Sequence, residues 1–323
     1  MVDKNKKYKQ LKTINYHQAL VQEANYWGEE AEKAAAAGIP FIADQQRAVR
    51  LKVFRGKGLP QLQSYDPAAE RLMNGKWYNQ LFVAVGAIAQ PAEVLVLACG
   101  AGGLCLELAR QGHRVTGIDI SERALRLARD FADQCRQTEG PIDVTYRCAD
   151  LNTIVLPAGH YDAIVAWDGL HHIVQLPRLM RQIAGALRRG GEMIYSDTDG
   201  QPLANRLLGG VLYFMLPTHV SYREKLRIAF YGIDHIQVEM RNRSPFEGVA
   251  EGNLFRLTVQ HFQLIEKRQH TAIGFRSAIV GDLRVRNKYR QLLIRLLKRM
   301  DEFLVECGWL RGDHLFVRAR PKS

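Results

Sequence analysis

The stretch Val94-Leu95-Val96-Leu97-Ala98-Cys99-Gly100-Ala101-Gly102-Gly103 constrains this chain more than any other. A short unbroken apolar run reads as a buried strand. It stops in a run of small residues, which opens a helix over Gly102 to Gln111. Glycines let such a loop come close to a ligand, and the helix N-terminus behind it favours negative charge. By itself the pattern also fits a tight turn that binds nothing.

The rest of the chain limits the choice. Short apolar runs and amphipathic helices alternate: strands at Val94–Leu97, His113–Ile118, Asp143–Arg147, Tyr161–Trp167 and Glu192–Ser196, with helices at Glu122–Gln137 and at Leu176–Leu187, the last closed by Gly190-Gly191. That alternation predicts an α/β fold: a Rossmann-like, mostly parallel seven-stranded sheet with helices on both faces. Strand texture returns at Phe262–His270 and Asp313–Arg320, around an amphipathic helix over Arg286–Cys307. The chain before Glu93 reads as helical, with helices at Tyr16–Ala37 and Ala68–Gln90 and a turn-rich linker at Gly56–Pro67. Four regions are expected: an N-terminal helical cap (1–91), a core (92–200), a helical insertion after the fifth strand acting as a substrate lid (201–260), and a C-terminal segment completing the sheet (261–323).

Composition excludes several classes. Five cysteines, odd in number and without a Cys-x-x-Cys pair, argue against a disulfide framework and against zinc, and point to a reducing cytoplasm. No metal ligand set is expected. The basic N-terminus is followed by no apolar stretch of signal type. The apolar run Leu207–Leu216 is too short to span a membrane, which takes about 20 residues. With the basic Arg223–Arg227 behind it, it reads first as a buried lid helix and second as a peripheral membrane contact. The net charge of +12 is compatible with a solvated basic surface or an anionic partner.

Asp119 ends the second strand, about 20 residues beyond the loop. An acid there can accept hydrogen bonds from both hydroxyls of a ribose. Ser121 is set to cap the next helix. A nicotinamide cofactor would suit the pair equally, but the Gly-x-Gly-x-x-Gly fingerprint is broken by Ala98 and by Leu104-Cys105. Six pieces in order decide the matter: Leu97-Ala98-Cys99-Gly100-Ala101-Gly102, Gly117-Ile118-Asp119-Ile120-Ser121, Cys148-Ala149-Asp150-Leu151, Tyr161-Asp162-Ala163-Ile164-Val165, Leu170-His171-His172 and Leu187-Arg188-Arg189-Gly190-Gly191. Across about residues 92 to 200 the chain resembles the class I S-adenosylmethionine-dependent methyltransferases. The resemblance implies S-adenosylmethionine as cofactor. It implies that Ala98, Gly100 and Gly102 border its methionine part, that Asp119 holds the ribose, and that Ile120 packs on the adenine. Asp150 and Leu151 would meet the adenine edge, with Asp150 receiving the exocyclic amine, and Trp167 would lie at the cofactor.

Two positions depart from the family. Val96 stands where it usually has Asp or Glu, which weakens the expected hold on the methionine ammonium group. Ala98 stands where it usually has Gly, at little cost provided its φ is negative. For proton removal the candidates are His172 and, slightly behind it, His171, at the end of the fourth strand where such sheets open to substrate. Tyr16, His17, Tyr26, Trp27, Tyr213, His219, Tyr222, Tyr231 and His235 are further candidates for the acceptor side. The expected activity is methyl transfer to an oxygen or nitrogen of a small-molecule, sugar or lipid-like acceptor. The alternatives are an RNA methyltransferase and a protein that binds S-adenosylmethionine without methyl transfer. Against nucleic acid, Trp167-Asp168-Gly169-Leu170 is no Asn-Pro-Pro-Tyr-type motif, and no RNA-binding module is evident.

Overall fold

The computed structural model describes residues 15–36, 67–200, 202–218, 221–223, 225–226, 243–272 and 287–322. Two helices come first, α1 (Tyr16–Ala36) and α2 (Pro67–Gly86). The core then runs β1 (Glu93–Leu97), α3 (Gly103–Arg110), β2 (Arg114–Asp119), α4 (Glu122–Glu139), β3 (Val144–Cys148), β4 (Tyr161–Trp167), α5 (Leu176–Ala186) and β5 (Leu187–Thr198). After it come α6 (Leu203–Met215), α7 (Leu254–His261), β6 (Phe262–His270), α8 (Asn287–Glu306) and β7 (His314–Pro321). The linker at Gly56–Pro67 lies outside the described residues, apart from Pro67 at the start of α2.

One boundary differs from the sequence reading. Gly190-Gly191 does not close α5 but lies inside β5, which begins at Leu187. A Cβ on Gly191 would sit 2.9 Å from the Asp162 carbonyl and 3.1 Å from that of Tyr161. The glycine therefore lets β5 press against β4 where their register shifts, between Tyr161 and Ala163.

The seven strands form one sheet in the order β3-β2-β1-β4-β5-β7-β6. β1 to β5 pair in parallel, whereas β7 is antiparallel to both β5 and β6, so the sheet is mixed. The chain moves outward from β1 to β3, then crosses back to lay β4 on the other side of β1. That reversal opens a crevice at the carboxyl ends of β1 and β4.

Successive strand residues point to opposite faces, and each face has its own core. Leu95, Leu97, Ile164 and Ala166 pack with Leu179, Met180 and Ile183 of α5 and Leu254 of α7. Val94, Val96, Ala163 and Val165 pack with Trp77 and Leu81 of α2 and Leu108 of α3. The helix α1 lies on α4 through small residues. Gly28 is pressed so closely to Ser121 and Arg123 that a Cβ would fall 2.8 Å from the Ser121 hydroxyl. Ala31 joins Ala101 and Ala124 in one buried cluster. The N-terminal helix thus sits beside the β1 loop and the start of α4.

Ile164 is fully buried in the middle of the sheet. Ile164→Ala should lower the unfolding free energy by about 2–5 kcal/mol, the cost of a large-to-small change in a packed core. Urea denaturation would show this as a lower midpoint at unchanged slope.

Candidate active site

The β1 loop is shaped by three left-handed residues, Ala98 (φ 50°), Gly100 (φ 54°) and Gly102 (φ 80°). Gly102 cannot be enlarged, because a Cβ there would lie 2.6 Å from the Tyr146 hydroxyl and 2.8 Å from Ala128. Gly100 faces open space, with nothing within 4 Å of an added Cβ. The condition under which Ala98 costs little is not met, because its φ is positive. An L-residue with a Cβ costs roughly 1–2 kcal/mol in this conformation. Its methyl group points at Gly169 after β4, where a Cβ would approach it to 2.5 Å. The loops after β1 and β4 therefore interlock, and Gly169 makes room for the methyl group of Ala98. Val96, at the position where the family usually carries a carboxylate, is part of the core.

The loop is latched to β2 by Asp119. Its Oδ2 accepts the N–H of Gly100 at 2.8 Å, and its Oδ1 accepts the N–H of Ser121 at 2.8 Å. Each carboxylate oxygen keeps a lone pair for a further donor, as a ribose diol requires. Burial pushes the Asp119 carboxyl pKa up against these backbone N–H groups. Ser121 caps α4 as anticipated, its hydroxyl accepting from the N–H of Ala124. Ile120 is partly exposed beside Asp119.

The β3 loop differs in detail. Asp150 Oδ1 accepts from the backbone and side-chain nitrogens of Asn152. Its Oδ2 accepts from the phenol of Tyr16 at 2.8 Å, so α1 reaches the loop after β3 directly. Tyr16 also stacks on Phe246, with ring centroids 5.8 Å apart. The Leu151 side chain turns into the core. The Trp167 ring stacks on Tyr78 of α2 at 3.8 Å, on the sheet face opposite Leu97.

The two histidines stand in unlike surroundings. His171 is buried, and its Nδ1 lies 2.7 Å from Oδ1 of Asp197 at the end of β5. The other oxygen of Asp197 accepts the N–H groups of Gly169 (3.1 Å) and Leu170 (2.7 Å). Burial would lower the His171 pKa, but Asp197, then Asp168 and Glu247, outweigh it and hold it at about 10. His171 is therefore an imidazolium at neutral pH and has no site free for a proton.

His172 retains slight exposure. Its Nδ1 lies 2.9 Å from Oε1 of Glu23 and its Nε2 lies 3.4 Å from Oε2 of Glu247. The Glu23 contact is close but out of line, so Nδ1 lacks a hydrogen-bond partner of good geometry. Trp27 of α1 meets the ring edge-on at 5.4 Å. Glu23 also accepts from Trp27 Nε1 (2.8 Å), the Ser244 hydroxyl (2.9 Å) and the Phe246 N–H (3.1 Å). Burial favours its neutral acid form, but His172, Phe246 and Trp27 prevail and depress its pKa.

Ligand-type atoms of His171, His172 and Glu247, and those of Asp168, His171 and Asp197, lie within 4.8 Å of one another. Their contacts form a chain of imidazole–carboxylate pairs running from α1 to β5. Glu23, Glu247 and Asp197 escaped the sequence reading, although two carried a signal. Glu23 sits on the stripe with Ala19 and Tyr26 that buries α1, and Asp197 lies in a buried run at the carboxyl end of its strand. Of the acceptor-side candidates, Tyr16 and Trp27 reach the site. Tyr26 packs under Arg243, His17 and Tyr222 are exposed, and Tyr213 is buried in α6. His219, Tyr231 and His235 lie outside the described residues. A groove of about 490 Å³ between α1 and Arg243, lined by His17, Val21 and Tyr26, includes none of the strand-end residues.

Comparison with known proteins agrees with this geometry. Residues 94–191 match the methyltransferase domain family. A ubiquinone biosynthesis O-methyltransferase of Coxiella burnetii (strain Dugway 5J108-111) is 30% identical over 104 residues, 32% of this chain and 42% of that protein. The protein of the same name from Methylocella silvestris is 27% identical over 175 residues, 54% of this chain and 58% of that one. The chain thus spans about half the length of these curated relatives. Among solved structures, a "putative sarcosine dimethylglycine methyltransferase" from Galdieria sulphuraria shares the fold, with a TM-score of 0.50 and 15% identity over 83% of this chain and 91% of that one.

Asp119→Ala should weaken S-adenosylhomocysteine binding in calorimetry by about 10- to 150-fold for each hydrogen bond lost, at roughly 1.5–3 kcal/mol apiece. Unchanged affinity would remove Asp119 from the site. For His171, a folded pKa of about 10 against 6.5 unfolded means stability that is complete below about pH 6.5 and lost as pH rises through 10. The urea midpoint should decline over that window, and His171→Leu should remove that decline.

Proposed function

We propose that residues 94–191, which match the methyltransferase domain family, form a class I S-adenosylmethionine-dependent methyltransferase domain, and that the chain methylates an oxygen of a small, lipid-like acceptor with His172 as the proton acceptor. The observation that carries the reading is the placement of His172: an imidazole held between Glu23 and Glu247 in the turn that follows β4. The oxygen is preferred to nitrogen because the curated relatives are O-methyltransferases by name. A hydroxyl acceptor, unlike a neutral amine, gains most from a base at the moment of transfer.

In this reading the β1 loop with Gly100 and Gly102 receives the methionine part of the cofactor, Asp119 the ribose, and Ile120 and Asp150 the adenine. When bound, the cofactor supplies an electrophilic methyl group on a positively charged sulfur. The protein supplies the rest. Glu23 lies against Nδ1 of the His172 ring, and Nε2 is the atom that takes the hydroxyl proton in a site walled by Trp27 and Glu247. His171, locked as an imidazolium against Asp197, fixes the backbone from Gly169 to Leu170 and so positions His172. It is a positioning residue here, and His172 keeps first place as the base. Trp167, stacked on Tyr78, contributes a wall on the α2 side. Of the proposed cap (1–91) and lid (201–260), described residues meet the site from both, with Tyr16 bonded to Asp150 and Ser244 to Glu23. The compartment we propose is the cytoplasm, where five free thiols are compatible with the redox conditions.

Replacing His172 by Ala should lower kcat by about 10²–10⁴-fold, the usual contribution of a general base, while the affinity for S-adenosylhomocysteine stays within a factor of about two. Added imidazole should restore part of the rate. Glu23→Gln should lower kcat less than the His172 change. If His172→Ala retains full activity on a phenolic acceptor, proton removal does not involve this residue.

A further inference from the structure

The carboxylate of Asp150 is fully supplied with hydrogen-bond donors. A carboxylate offers about four lone-pair positions. The backbone N–H of Asn152 (2.8 Å) and its side-chain amide (2.9 Å) take those of Oδ1. The phenol of Tyr16 (2.8 Å) and the hydroxyl of Thr153 (3.3 Å) take those of Oδ2. Asp119 differs: it accepts two backbone N–H groups, one through each oxygen. A further donor can therefore join Asp119, whereas at Asp150 it has to replace one already there.

Of these donors, three belong to the loop itself and one comes from afar. Asn152 is buried, and its side-chain oxygen accepts the N–H of Gln175 at 2.8 Å, which ties it to the start of α5. Thr153 is bound by its own N–H to the Asp150 carbonyl at 3.1 Å. Tyr16 is 134 residues away in the chain, and it is the first residue of α1, where a helix frays most readily. It is 39% exposed. Burial and then Asp150 push its pKa up, so the phenol is a donor at neutral pH. The same ring stacks on Phe246, the neighbour of Glu247. Tyr16 thereby joins the loop after β3 to the segment that lies against His172.

We propose that the phenol of Tyr16 stands in for the exocyclic amine of the cofactor's adenine: the two donors compete for Oδ2 of Asp150, and the cofactor binds by displacing Tyr16. The inference rests on the assignment of Asp150 to adenine made above. Phenol and aromatic amine are both neutral donors, so the exchange conserves the hydrogen bond and never leaves the carboxylate short of a partner. The adenine bond then adds less to affinity than it would at an uncontested acid. Tyr16 acts through Asp150 and is a positioning residue. Its stack on Phe246 brings the exchange into contact with the segment that carries Glu247.

Calorimetry of the full chain with S-adenosylhomocysteine tests the competition. Tyr16→Phe keeps the ring and removes the donor. It should tighten binding about 2- to 10-fold, the worth of one hydrogen bond, while the urea midpoint falls or stays level. A purely structural tyrosine would lose affinity together with stability. On an Asp150→Ala background Tyr16→Phe should add nothing. S-inosylhomocysteine, which has a carbonyl in place of the amine, should gain nothing from Tyr16→Phe either. Unchanged or weaker S-adenosylhomocysteine binding by Tyr16→Phe, or an equal gain in either control, would overturn the proposal. Asp150→Ala with unaltered affinity would remove Asp150 from the adenine site. Weakened binding by Asp150→Ala beside no improvement in Tyr16→Phe is a separate failure, and it rejects the competition alone.

Discussion

The pairing of Asp197 with His171 holds the candidate site together. A carboxylate with no solvent exposure at the end of β5 must be compensated, since an isolated buried charge costs several kcal/mol. Asp197 finds one imidazolium and the backbone N–H groups of Gly169, Leu170 and Thr198. Those donors fix the turn after β4. The turn in its place presents Gly169 to Ala98 and aims His172 at Glu23. The carbonyl of His171 receives the N–H of Ala250, which attaches the segment before α7 to the same turn. One buried ion pair thus determines the relation between the β4 loop, the β1 loop and the segment before α7.

Around that point the site is assembled from parts distant in the chain. Glu23 comes from α1, His172 from the core and Glu247 from the segment before α7. His172 lies against both acids. Glu23 has Trp27, Ser244, Phe246 and His172 about it, more partners than a surface acid would keep. The same helix delivers Tyr16 to Asp150. The N-terminal helix therefore contacts both the loop after β3 and the turn after β4. Its own attachment comes from Gly28 against Ser121 and from the ion pair of Glu32 with Arg123.

Strain and exposure mark where the fold gives up stability for something else. Ala98 occupies a backbone conformation unfavourable to an L-residue and does so in the β1 loop. Position 169 has to be glycine to receive its methyl group. Among its described side chains, helix α6 leaves six apolar residues exposed while burying its asparagine, so the buried-lid expectation holds only for its other face.

The sequence by itself determined the α/β core. Strand and helix periodicities, the glycines of the β1 loop, Asp119 and the Ser121 cap are local properties, because each arises from side-chain alternation or from backbone freedom within a few residues. Tyr161–Trp167 and Phe262–His270 fall where the apolar pattern placed them for that reason. Tertiary structure alone decided the antiparallel insertion of β7 between β5 and β6, the sign of φ at Ala98, and the face on which α6 is exposed. It also decided which histidine is locked and which retains an open side. His171 and His172 are adjacent in sequence and chemically identical. What separates them is Asp197, 26 residues beyond His171, and Glu23, far back in the N-terminal helix. No local pattern encodes the distance between groups that meet only when the chain has folded.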